Sequence, residues 1–138
     1  MNRQTFSRLA LLAGAVLAVA SVGWAKTYHM TSMTTVPGAA GEVNVAKEKN
    51  GNIQVDVNVM HLAKPGMLTP AATSYVVWLE QEGSQPQSQG QLKIGDDLKG
   101  ELKSTTTLNN FRVIITAETD SQTKTPSDEV VLTATVQE

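Results

Sequence analysis

No cysteine occurs anywhere in the 138 residues. A disulfide framework is therefore excluded, as is a diacylated lipoprotein anchor, and the fold must be held by its core. Histidine is nearly as scarce. Neither His29 nor His61 stands beside a nucleophile elbow, and Gly-x-Ser-x-Gly does not occur, so Ser/His/Asp catalysis lacks its parts. Basic residues are few and scattered, 11 Lys and Arg against 13 Asp and Glu, for a formal net charge of -2. A nucleic acid or an anionic membrane surface as main partner would ask for a basic patch, which is missing. From Lys26 onward there is no helical apolar period either, and so no helix long enough for a crossover between parallel strands.

What is present begins with a leader. Arg3 and Arg8 precede an apolar run from Leu9 to about Ala20, the pattern of a signal peptide. Gly23 and Ala25 are the small residues a signal peptidase requires, which places the cut between Ala25 and Lys26, with Ala18 and Ala20 offering a second site. The competing reading is an uncleaved anchor. Against it, the run falls short of the roughly 20 residues of a bilayer span and is diluted by Gly14 and Ser21. Cleavage leaves Lys26 to Glu138, one domain in size. Losing Arg3 and Arg8 leaves 9 basic residues against 13 acids, a net charge of -4. The expected location is the periplasm or the exterior of the cell.

The remainder reads as short alternating runs divided by Gly, Pro, Asn and Asp. Ile53 to Val59 alternates strictly, which buries one face and wets the other. Val43 and Val45 lie on a preceding run, and Asn50-Gly51 supplies the positive φ angles of a hairpin that pairs the two runs antiparallel. Further strands are predicted at Thr27 to Thr34, Ser74 to Glu80, Gln89 to Ile94, Leu98 to Ser104, Asn110 to Glu118 and Glu129 to Val136, with a turn at Asp96-Asp97. Phe111, Val113, Ile115 and Ala117 form one face of the penultimate strand. Val130, Leu132, Ala134 and Val136 form one face of the last.

Ser74 to Glu80 is apolar on both faces, as a central strand needs. The expected assignment turns Val76 and Trp78 into the core and leaves Tyr75, Val77 and Leu79 to be covered by the segment Pro65 to Thr73 or by a partner. About eight strands with frequent turns predict an immunoglobulin-like antiparallel β-sandwich.

Within this frame Tyr75-Val76-Val77-Trp78-Leu79, then Gln91-Leu92, then Ile115-Thr116-Ala117-Glu118 resemble the extracytoplasmic C-terminal domain of anti-sigma-K factors. That family has a Tyr-x-x-Trp strand, a hairpin bearing glycine, a Val-x-x-Thr-x-Glu strand, a loop with proline, here Pro126, and a final apolar strand. His61-Leu62-Ala63-Lys64-Pro65 is similar to a segment of small free-standing exported bacterial proteins. The resemblance implies a sensing or interaction module outside the cytoplasm. It does not carry sigma-factor inhibition over, because only the leader precedes the sandwich and the parent proteins use a cytoplasmic helical domain and a membrane helix. The family motif comprises Tyr75, Trp78, Thr116, Glu118 and Pro126.

Three groups of residues invite a chemical reading. Asp96-Asp97 and the pair Glu80 and Glu82 could do acid and base work, but a turn and a solvated strand face explain them. Glu118 ends an apolar strand and is read first as a structural acceptor for a loop backbone, and second as a ligand-binding group. His29, Met30, Met33, Met60, His61 and Met67 gather every histidine and every methionine outside the initiator between residues 29 and 67. Thioether and imidazole suit Cu(I), although core filling explains the methionines as well. Met67 and Leu68 sit on a loop broken by Pro65, Gly66 and Pro70, and with Tyr75, Val77 and Leu79 they are the candidates for partner contact. The expected function is a non-catalytic binding or sensing module of the bacterial envelope without a cofactor. A periplasmic copper carrier and a structural envelope protein are the alternatives.

Overall fold

A computed structural model describes residues 25–138. Residues 1–24, which hold Arg3, Arg8, the run from Leu9, and Gly23 of the expected leader, lie outside the described residues.

Nine strands and one short 3-10 turn, Pro65–Met67, make up the described residues. The strands are β1 Lys26–His29, β2 Thr31–Ser32, β3 Ala40–Lys47, β4 Ile53–Met60, β5 Ser74–Glu80, β6 Gln87–Leu92, β7 Gly100–Thr106, β8 Asn110–Glu118 and β9 Val130–Gln137. They form two sheets, ordered β1-β3-β4-β7 and β2-β9-β8-β5-β6, antiparallel throughout. Each connection β4 to β5, β6 to β7 and β7 to β8 passes from one sheet to the other, while β5-β6 and β8-β9 are hairpins within a sheet. That is the course of an immunoglobulin-like sandwich, with β3, β4 and β7 in one sheet facing β6, β5, β8 and β9. Among the described residues no helix is long and apolar enough to cross a membrane.

Alternation sets the core. Val43 and Val45 of β3, and Ile53, Val55, Val57 and Val59 of β4, pack against Phe111, Val113, Ile115 and Ala117 of β8 and Leu132, Ala134 and Val136 of β9. The β3-β4 hairpin pairs as expected, Val43 opposite Val57 and Lys47 opposite Ile53. Its connection is longer than a two-residue turn. Gly51 alone takes a positive φ, 86°, and the Asn50 side chain accepts the Asn52 amide proton at 3.1 Å.

Three expectations are corrected. The stretch Thr27 to Thr34 is not one strand. The chain leaves the first sheet at Met30, whose amide donates to the Gly41 carbonyl at 2.8 Å, and joins the second sheet, where Met33 N–H reaches the Val131 carbonyl at 2.9 Å. Val130 does not share a face with Leu132. The β8-β9 register shifts between Ile115 and Thr116, so Val131 turns into the main core and Val130 packs on the opposite side of the sheet. A bulge leaves one residue without a partner and reverses the facing of the residues beyond it.

The third correction concerns β5, whose faces are the reverse of the assignment made from alternation. Tyr75, Val77 and Leu79 enter the main core with 0%, 1% and 1% exposure. Val76 and Trp78, also fully buried, lie on the outward side with Ile114 in a second, smaller cluster. The indole explains the choice. Its N–H is a donor that must be satisfied when buried, and the outward side offers the Thr116 hydroxyl at 2.8 Å. Tyr75 can point inward because its hydroxyl emerges at the end of the sandwich and donates to the Ala63 carbonyl at 2.5 Å.

Candidate functional site

One end of the sandwich collects three connections: residues 33–39 between β2 and β3, 61–73 between β4 and β5, and 119–129 between β8 and β9. The middle one is braced along its length. Leu62 is fully buried and its amide donates to the Leu98 carbonyl at 3.1 Å. Lys64 Nζ meets Asp96 Oδ1 at 2.5 Å, tying this connection to the β6-β7 turn. That hydrogen bond, with the lysine charge behind it, holds the Asp96 carboxyl below its usual range. After the Pro65–Met67 turn, Ala72 N–H returns to the Pro65 carbonyl at 3.0 Å. Thr73 then hooks onto β8, its hydroxyl donating to the Thr119 carbonyl at 2.7 Å.

This bracing separates two neighbouring apolar residues. Leu68 packs against the main core together with Ala72, whereas Met67 stands 79% exposed. Two depressions flank the segment they sit on. One, of about 380 Å³, is lined by His61, Met67, Leu68 and the 35–38 stretch. The other, of about 190 Å³, lies between residues 68–72 and the β8-β9 connection and includes Glu118, Thr119, Ser127 and Glu129.

Glu118 closes a buried relay. Trp78 Nε1–H donates to Thr116 Oγ1 at 2.8 Å, and the Thr116 hydroxyl in turn donates to Glu118 Oε1 at 2.7 Å. Indole nitrogen can only donate, so the hydroxyl proton is committed to the carboxylate. The Ser127 amide also donates to Oε1, at 2.8 Å. Glu118 is thus an acceptor for a loop backbone, the role read for it from sequence. Ser127 has no precedent in that reading. Its hydroxyl donates to the Ala117 carbonyl at 3.2 Å and accepts the Glu129 amide proton at 3.2 Å, which folds the connection back onto the end of β8. The only sequence hint was a hydroxyl residue two positions before an acidic one in a loop containing Pro126, a weak turn signal.

No protein-family model and no curated protein sequence matches this chain.

The remaining candidates are dispersed. Tyr75, Val77 and Leu79 are core residues and present nothing to a partner. Met67 keeps its place as an exposed apolar side chain, and Leu68 serves mainly to hold the loop. Of the six His and Met residues, Met30 is buried beside Gly41. His29 pairs with Glu42 on the outward side of the first sheet, where Met60 also lies, opposite Ala40. Met33 is in the β2-β3 connection. His61 follows the last residue of β4 in a left-handed conformation, φ 55°, and shares the larger depression with Met67. Two of the six therefore line one depression. Among the described residues no three His, Asp or Glu side chains are grouped to hold a metal ion. Glu80 pairs with Arg112 at 2.6 Å, and Asp96-Asp97 form the turn expected of them.

Proposed function

We propose that this chain is an exported, non-catalytic binding module of the bacterial envelope, related to the extracytoplasmic domain of anti-sigma-K factors, and that it engages a protein partner through the loop end around Met67. The observation that carries the reading is the contrast between Leu68, anchored in the core, and Met67, exposed on the same braced segment. A side chain held out by a rigid loop contributes apolar area to a complex with little ordering cost. The position of the site supports it too, since the B–C and F–G connections of variable-type sandwiches, the counterparts of 61–73 and 119–129, are recognition loops. Export rests on the leader pattern, and kinship on the Tyr75, Trp78, Thr116, Glu118 and Pro126 pattern.

A photo-crosslinking residue at position 67, compared with one at Gln85 in the distant β5-β6 hairpin, tests this in the organism's own envelope. Reproducible recovery of one protein from position 67 alone is expected. Equal recovery from both positions, or none, would sink the partner reading and leave a structural envelope role. Cu(I) carriage is the second reading, supported by His61 and Met67 on one depression. It requires saturable micromolar copper binding that a Met67→Leu variant loses.

A further inference from the structure

We infer that the smaller depression at the loop end is a binding site for a primary alkylammonium group, with Glu118 as its anion. Glu118 is the one buried charged side chain among the described residues, 7% exposed, and it takes part in none of their four ion pairs. A buried carboxylate without a cation is costly unless hydrogen bonds or a ligand compensate it. Here both donors, Thr116 and Ser127, converge on Oε1. Oε2 has no hydrogen-bond partner among the described residues. Among their fully occluded side-chain polar atoms only Asp56 Oδ1 lacks a hydrogen bond, so the unbonded Oε2 is not fully occluded. The depression that Glu118 lines has a volume of about 190 Å³, apolar walls from Pro70, Ala72 and Val131, a second carboxylate in Glu129, and no Lys, Arg or His in its lining.

The chemistry selects the cation. A guanidinium binds a carboxylate best through both oxygens at once, and Oε1 is already doubly engaged. An ammonium is a compact charge that one oxygen and nearby hydroxyls can satisfy, and its alkyl stem suits apolar walls. A metal ion would need more ligands than are grouped there. Such an ammonium comes either from a lysine side chain of a polypeptide or from a free small amine.

Amide NMR of the full chain, titrated with n-butylammonium and separately with Nα-acetyl-lysine methylamide to ~50 mM, a range that saturates sites of millimolar affinity, tests the inference. Saturable shifts at Thr119, Ser127 and Glu129 are expected. Binding of the lysine compound alone assigns the site to a polypeptide, and binding of butylammonium admits free amines. Butanol and butyrate should leave the same amides unmoved. Glu118→Gln keeps an acceptor for Thr116 and Ser127 but removes the charge, and should weaken binding at least ~tenfold. Ala71→Phe, at an exposed residue of the rim, should block the site even if Glu118→Gln fails to fold. Absence of saturable shifts, equal binding of butanol, or undiminished affinity in either folded variant would overturn the inference. No partner protein is involved, so the outcome is separate from that of crosslinking at position 67.

Discussion

Trp78 and Thr116, on adjacent strands of the five-stranded sheet, are joined by an indole N–H to hydroxyl hydrogen bond of 2.8 Å on the side facing away from the main core. Thr116→Val keeps the shape but strands the indole donor and removes one of the two donors to Glu118. A loss of about 1 to 3 kcal/mol in urea unfolding is expected, the usual cost of an unmet buried group. Thr116→Ser retains the hydroxyl and should lose less. Equal stability of the valine variant and the parent would mean that the relay contributes nothing.

Tyr75 gives a pH test. Burial pushes its phenol up from the ordinary 10.0 to about 12. Between those values the unfolded chain has released the proton that the folded chain keeps, so stability falls as pH rises from about 10 towards 12 and is intact below that window. Tyr75→Phe removes this group's share of the slope and, by leaving the Ala63 carbonyl without its donor, costs about 1 kcal/mol near neutral pH. Denaturant midpoints across the alkaline range would reveal both effects. An unchanged slope would contradict the first.

Gly100 opens β7 at a point of close approach. A Cβ there would lie 2.7 Å from the Lys93 carbonyl oxygen and 2.9 Å from Ile94 Cδ1. Backbone cannot yield as a side-chain end can, so Gly100→Ala should destabilise by about 1 to 3 kcal/mol, as overpacking does. At Gly38 a Cβ would meet nothing within 4 Å, and Gly38→Ala should leave the thermal midpoint nearly unchanged. The two variants measured side by side separate packing from chain stiffening.

Met67 and Leu68 differ in what they hold. Met67→Ser should change stability by less than about 0.5 kcal/mol, as for a surface position, while weakening affinity co-purification of the partner that the position-67 crosslink identifies. Leu68→Ser should lower stability measurably, because it removes apolar area packed on the core. Similar stability losses in both would mean that Met67 is not free.

The strand positions were legible because alternation and turn residues are local signals, and Asn110–Glu118 appears with the bounds read from sequence. Facing was not. Every residue from Tyr75 to Leu79 is apolar or aromatic, so hydrophobicity is symmetric across β5 and cannot choose a side. The choice was made by the indole N–H and by Thr116, a threonine 38 positions away. Val130 was misplaced for a related reason, because a register shift is a property of two strands together. The loop end was half legible: the prolines marked an irregular segment carrying Met67 and Leu68, but the pairing of Glu118 with Ser127 depends on a chain reversal that no local pattern announces.

The opening segment pairs through β1 with β3 in one sheet and through β2 with β9 in the other. Four residues on one side of Met30 and two on the other thus occupy an outer rim of both layers at once. A chain shortened to begin after Met33 would bare two backbone ladders along the same flank, each able to recruit a strand from a second molecule. These few residues act as a shared hem, and their loss would show first as self-association rather than as unfolding.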